Sequence, residues 1–80
     1  MSITTAVRER LTTLCKKRGL TIHALAHISG VHPSTVKGIV NGANQAPGIV
    51  TLKKLCDGLD ISICEFFDAE VFRNLEREIE

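Results

Sequence analysis

The stretch Thr21–Gly42, TIHALAHISGVHPSTVKGIVNG, constrains this chain more than any other. It holds two short helical patterns on either side of one tight corner, Ser29-Gly30-Val31. The first pattern is capped by the hydroxyl of Thr21 and carries Leu25, Ala26 and Ile28 on its apolar side. The second opens at His32-Pro33, carries Val36, Ile39 and Val40 on one face, and stops at Asn41-Gly42. Gly30 supplies the positive φ that a sharp helix-to-helix corner requires. Pro33 suits the first position of a helix, where a missing N–H removes no bond. Helices this short are not stable alone, so the rest of the chain must clamp them.

The flanking sequence reads as that clamp. Ile3, Val7, Leu11, Leu14 and Cys15 recur at helical spacing over residues 3–18, with Lys16, Lys17 and Arg18 in the last turn and Gly19 as the stop. After the polar loop Ala43–Gly48, a fourth helix is predicted over Ile49–Leu59, with Leu52, Leu55, Cys56 and Leu59 inward. Ser62 and Glu65 form a capping box for a fifth helix, Ile63–Phe67. Asp68 is placed to cap a sixth, running to the C-terminus with Val71, Phe72, Leu75 and Ile79 on one stripe. No strand-period segment of useful length occurs. The prediction is all-α: a five-helix bundle over residues 1–68 with a helical extension over 69–80.

Charge is unevenly laid out. The net charge of +1 conceals +7 over residues 1–54, where Glu9 is the lone acid, and −6 over residues 55–80. Segregation of this kind suits a first two-thirds that faces a polyanion. No run of about 18 apolar residues occurs, so no membrane partner is expected. Charges at Arg8, Glu9 and Arg10 argue against a secretory signal and for a cytoplasmic location. Cys15, Cys56 and Cys64 form no CxxC pair and read as buried, reduced thiols. His23 and His27 share a helical face but lack further donors nearby, so neither a metal nor any other cofactor is expected. Nothing resembles a nucleophile–base pair, paired carboxylates or a glycine-rich phosphate loop, so an enzyme is not expected.

A helix with an apolar back and short polar residues in front is what the major groove of double-stranded DNA, about 12 Å wide, admits. Residues 33–41 meet both conditions: Val36, Ile39 and Val40 behind, Ser34, Thr35, Lys37 and Gly38 in front. The helix N-termini at Thr21 and Ile49 present free N–H groups suited to phosphate.

The order TxxxLAxxxGVxxSTVxxIxNG, followed by a loop proline and LxxLCDxLxIxxxEFF, resembles the Cro/CI-type (XRE) helix-turn-helix family of bacterial and phage regulators over about residues 6–67. The resemblance implies a lambda-repressor-like five-helix fold whose third helix reads DNA. On that basis Pro33, Ser34, Thr35, Lys37 and Gly38 are expected at the major groove with His32 at its edge. Thr21, Ile22 (through its backbone N–H), Asn41, Asn44 and Gln45 are expected along the phosphate backbone. Three departures stand out. Ile22 occupies a position where the family often has Gln, Ala43–Ala46 lacks basic residues, and Cys15 and Val40 align with an Arg–Glu ion pair of lambdoid repressors. The implied function is a transcriptional regulator, a repressor acting as a homodimer. The group Phe66, Phe67, Val71, Phe72, Leu75 and Ile79 serves either core closure or a subunit interface, Leu75 and Ile79 being the better interface candidates. The alternative is an antitoxin-type or other protein-interaction module whose apolar tail grips a protein partner.

Overall fold

A computed structural model describes residues 1–42 and 46–79. Five α-helices follow one another: α1 (Ile3–Arg18), α2 (Ile22–Ser29), α3 (Pro33–Val40), α4 (Ile49–Gly58) and α5 (Ile63–Phe67). A single 3-10 turn, Glu70–Phe72, follows them, and no strand occurs among the described residues.

Local chemistry sets most of the boundaries. Ser2 Oγ accepts from the Thr5 N–H, Thr21 Oγ1 from the Ala24 N–H, and Ser62 Oγ from the Glu65 N–H. Each bond satisfies one of the orphan donors of a helix start. In α5 the Glu65 carboxylate returns a bond from the Ser62 N–H at 3.1 Å, completing the capping box in a helix of only five residues. Gly30 closes α2 in the left-handed conformation (φ 67°), and the Val31 N–H reaches back to the Ala26 carbonyl at 3.0 Å. That bond turns the chain sharply enough for α3 to cross α2.

Packing then fixes where the corner sits. α2 packs against both α3 and α4, and α1 backs α3. Leu11, Leu25, Val36, Leu55, Cys56, Leu59 and Phe66 are fully enclosed, so every one of the five helices contributes to one core. Arg10 adds a polar tie from α1. Its Nε donates to the Phe66 carbonyl at 2.7 Å and its Nη2 to the Glu65 carbonyl at 2.8 Å. Both carbonyls lie in the last turn of α5; the Glu65 carbonyl also accepts the Asp68 N–H at 3.2 Å, whereas the Phe66 carbonyl is one of the orphan acceptors of a helix end. Arg10→Leu is therefore expected to destabilise the fold by about 1–3 kcal/mol, because two charge-assisted bonds are lost and the Phe66 carbonyl loses its partner. Urea denaturation followed by circular dichroism measures it; an unchanged midpoint would show the tie to be dispensable.

Two expectations are corrected here. The sixth helix does not run to the C-terminus: helical structure after α5 is limited to Glu70–Phe72, and residues 73–79 form none. Asp68 ends α5 instead of starting a helix, and Ala69 is extended. A short helix needs a packed face to persist, and only the front of this segment finds one. Phe72 is half-buried and packs its ring against Phe67 (4.8 Å between centroids) and Phe66 (6.0 Å), whereas Ile79 is 70% exposed. The tail is tied down by the backbone, the Glu76 N–H donating to the Met1 carbonyl at 3.0 Å. The second correction concerns Cys64, which is exposed, while Cys15 and Cys56 are buried. In a five-residue helix anchored by Phe66, the residue two positions earlier points to the opposite side.

Candidate nucleic-acid interface

The geometry of α3 follows from its ends and its back. Val36 and Ile39 are buried in the core, which fixes the rotation of the helix about its axis. Ser34, Lys37, Gly38 and Asn41 then fall at i, i+3, i+4 and i+7 on the outer side; Gly38 is half-buried and the other three are exposed. Thr35 is exposed beside this stripe, and Pro33 is half-buried at the first helical position. Gly38 leaves the middle of the stripe without a side chain, so a ligand can approach the backbone there.

The cap of α3 differs from the other three side-chain caps. His32 replaces a hydroxyl, its Nδ1 accepting from the Ser34 N–H at 3.1 Å and lying 2.8 Å from Ser34 Oγ. Pro33 has no N–H to offer, so Ser34 carries the first donor that the cap can reach. At the far end, the Asn41 N–H donates to the Lys37 carbonyl at 2.8 Å and Gly42 takes φ 76°. A methyl group on Gly42 would overlap the guanidinium of Arg8, which α1 holds against this exit.

At the start of α2, Thr21 is exposed and its hydroxyl serves the cap. The Ile22 side chain is half-buried and packs against the core, leaving its backbone N–H, an orphan donor of the first turn, as its polar group at this surface. Thr21 and Ile22 thus offer a helix N-terminus of the kind that binds phosphate. His23 and His27 are exposed, and no group of three or more metal-ligating side chains occurs among the described residues. Asn44 and Gln45 lie outside the described residues.

The electrostatics of this face come from an absence of acids. From Arg10 to Cys56 the sequence contains no Asp or Glu, so α2, α3 and the corner between them carry only neutral or basic groups. The wider positive field is less uniform than its sequence suggests. Arg10 is engaged with α5, Lys53 pairs with Asp57, and Lys17 and Arg18 share a shallow cavity with Glu65 and Asp68. Lys37 lies on α3, and Arg8 stands beside its end at Gly42. Arg8 is a residue that sequence reasoning missed as a neighbour of α3. Only the fold brings it to Gly42, and no local pattern announces a contact between the first helix and the end of the third.

Elsewhere, Cys15 is enclosed in the core and Val40 packs against the core's edge, so the two positions are filled by apolar packing. Burial pushes the Cys15 and Cys56 thiols up, for Cys56 with a further upward push from Asp57 and a smaller opposing one from Lys53. A raised thiol pKa suits inert core residues.

A family model described as helix-turn-helix matches residues 11–66, from the middle of α1 to the inward-facing Phe66. The chain belongs to the Cro/CI-type helix-turn-helix family. Within that family it is similar to the HTH-type transcriptional regulator SlrR of Bacillus subtilis (strain 168), with 38% identity over 55 residues. The match covers 69% of this chain and 36% of the regulator, so the chain spans about a third of that relative's length. The fold also resembles the crystal structure of prophage Lp1 protein 11, with a TM-score of 0.79 and 33% identity over 94% of this chain and 100% of that one. In helix-turn-helix terms α2 and α3 are the paired helices and Gly30 the turn between them. No helix of the described residues is long and apolar enough to cross a membrane.

Proposed function

We propose that this helix-turn-helix chain is a sequence-specific regulator of transcription, a repressor that binds double-stranded DNA as a homodimer. The observation that carries this reading is the outer stripe of α3. Ser34, Lys37, Gly38 and Asn41 line one side of a helix whose other side is locked by Val36 and Ile39, within a segment free of acids. Such a helix fits the major groove, its front residues reaching base edges while α2 spans the backbone. Thr21, the Ile22 N–H and Asn41 are assigned to phosphates, as are Asn44 and Gln45. Pro33, Ser34, Thr35, Lys37 and Gly38 are assigned to the groove, with His32 at its edge. A two-fold dimer would place two copies of α3 about 34 Å apart on a palindromic site.

Selection of bound duplexes from a random pool tests the whole reading. A two-fold symmetric consensus with steeply salt-dependent affinity is expected. A chain that retains no DNA at low salt would overturn it. Lys37→Ala is expected to weaken binding about tenfold and, if Lys37 meets a phosphate, to reduce the salt slope by about one. Arg73→Ala should leave binding unchanged, because that side chain is engaged with Glu70 (3.0 Å) and Asp68 (3.3 Å) in the extension. Equal losses in the two variants would misplace the binding face.

A second reading, a protein-interaction module of antitoxin type, draws on the 70% exposure of Ile79 and on Leu75, which is half-exposed. It gives the tail a protein partner. Removing residues 73–80 separates the two: loss of a co-purifying protein with DNA affinity intact favours the partner, and loss of symmetric dimer binding favours the dimer.

A further inference from the structure

The exit of α3 is built around a cation that comes from α1. A Cβ on Gly42 would overlap Arg8 Nη1 and lie 3.2 Å from Arg8 Cζ, so the guanidinium fills the space that any other residue at 42 would need. Gly42 takes φ 76° there, and Arg8 is half-buried. The charge is held in place without being neutralised. The ion pairs among the described residues join Lys53 to Asp57 and Arg73 to Asp68 and Glu70, and Arg8 enters none of them. Glu9 lines the same shallow cavity as Arg8, Thr12, Thr13 and Val40 without forming an ion pair there. Nor does the sequence after α3 bring another positive charge to this exit, since no Lys or Arg occurs between Lys37 and Lys53.

We infer that Arg8 is a further DNA-binding residue, its guanidinium contacting a backbone phosphate at the wall of the groove that α3 enters; this rests on the DNA-binding reading above. A recognition helix meets base edges with its N-terminal residues. α3 has eight residues, so at about 1.5 Å per residue it is about 12 Å long, close to the width of the major groove. With its first turns at the bases, its exit stands at the groove's edge, where the phosphates run. Asn41, the last residue of the outer stripe, is exposed there, directly before Gly42. A guanidinium is a permanent cation whose donors form a rigid fork matched to two phosphate oxygens. Seated against the backbone of a glycine, it has less rotamer freedom to lose on binding than a side chain on an open surface. Such a contact fixes the position of α3 and carries no sequence information of its own.

The test uses the full chain and the duplex recovered by pool selection, with each phosphate replaced in turn by an uncharged methylphosphonate. Arg8→Gln removes the charge and keeps an N–H donor for the backbone of the exit. It should keep the helix content and melting temperature, bind about tenfold more weakly and lower the salt slope by about one. Arg8→Lys should keep the slope. The loss in Arg8→Gln should be equal on the selected duplex and on an unrelated one, because phosphates are common to both. One methylphosphonate position per half-site should weaken the wild-type chain about tenfold and leave Arg8→Gln unaffected, since in that variant the phosphate has no partner to lose. In the wild-type chain itself, the NMR signals of the Arg8 guanidinium should move on adding the duplex, and much less on adding the duplex neutralised at that position. Arg8→Gln with a lowered melting temperature and the wild-type salt slope would make Arg8 a brace of the α3 exit alone and overturn the inference. Equal losses in the two chains at every methylphosphonate position, or guanidinium signals indifferent to DNA, would do the same while leaving DNA binding intact. Failure of the wild-type chain to bind any duplex removes both readings together.

Discussion

Replacing Phe66 with Ala is expected to cost about 3–5 kcal/mol of stability. The ring is fully enclosed and is among the largest buried side chains of the molecule. It meets Phe67 edge-on at 5.1 Å between centroids, and Phe72 at 6.0 Å, so it joins α5 to the 3-10 turn. Its own carbonyl receives the Arg10 side chain, which keeps the backbone of α5 close to α1 while the cavity stands open. That tie limits how far the site can collapse, and incomplete collapse is what moves a truncation toward the upper end of the range. A chain of this size has a total stability near the low end of about 5–15 kcal/mol, so the variant should be largely unfolded at moderate urea. Phe66→Leu, which retains most of the volume, should cost under about 2 kcal/mol. Chemical denaturation of the two variants decides the matter; an Ala variant within about 1 kcal/mol of wild type would show that this ring is not central to the core.

Gly58→Ala is expected to destabilise the chain even though glycine to alanine inside a helix ordinarily stabilises by about 1 kcal/mol. Gly58 closes α4 against the end of α2. A methyl group there would overlap Ser29 Oγ and lie 3.1 Å from Ser29 Cβ and 3.3 Å from Ile28 Cγ1. Overpacking of this kind costs typically about 1–3 kcal/mol, enough to outweigh the propensity gain. The Ser29 hydroxyl is buried without a hydrogen-bond partner among the described residues. Ser29→Ala alone should therefore be close to neutral, since it removes an unsatisfied group. In the double variant the clash with Oγ is gone but the approach of the two Cβ atoms remains, so part of the loss should return. Thermal melts of the two single variants and the double one measure the coupling, and strict additivity would show that the two residues do not press on each other. The seam also sets where α2 lies, so Gly58→Ala should weaken DNA binding without touching the binding face.

Much of the helical layout was legible because it rests on contacts three to five residues apart. Thr21, Gly30, Pro33 and the Ser62–Glu65 box each act on their immediate neighbours, and each does so in the fold. The extension was misread for a related reason. Val71, Phe72, Leu75 and Ile79 have helical spacing, but spacing stabilises a short helix only where a surface waits to receive it. The core receives Phe72 and leaves Ile79 exposed. Cys64 was misread because a hydrophobic thiol in a helical pattern was taken as inward, whereas Phe66 had already claimed that direction.

The outer stripe of α3 was readable as a pattern, since Val36 and Ile39 define its back and so its front. Its surroundings were not. Arg10 counted as part of a basic field, yet its guanidinium is committed to carbonyls 55 and 56 residues away. Arg8, in the same field, stands at the end of α3 against Gly42. Ile22 packs inward, leaving the backbone to face outward. By itself the sequence determined the caps at Thr21, His32 and Ser62, the corner and the family, because those are short-range choices written in a few side chains. The tertiary structure alone decided which cations remain near α3, which end of the tail is buried and how closely α2 meets α4. Those outcomes depend on groups far apart in the chain competing for the same space and the same hydrogen bonds.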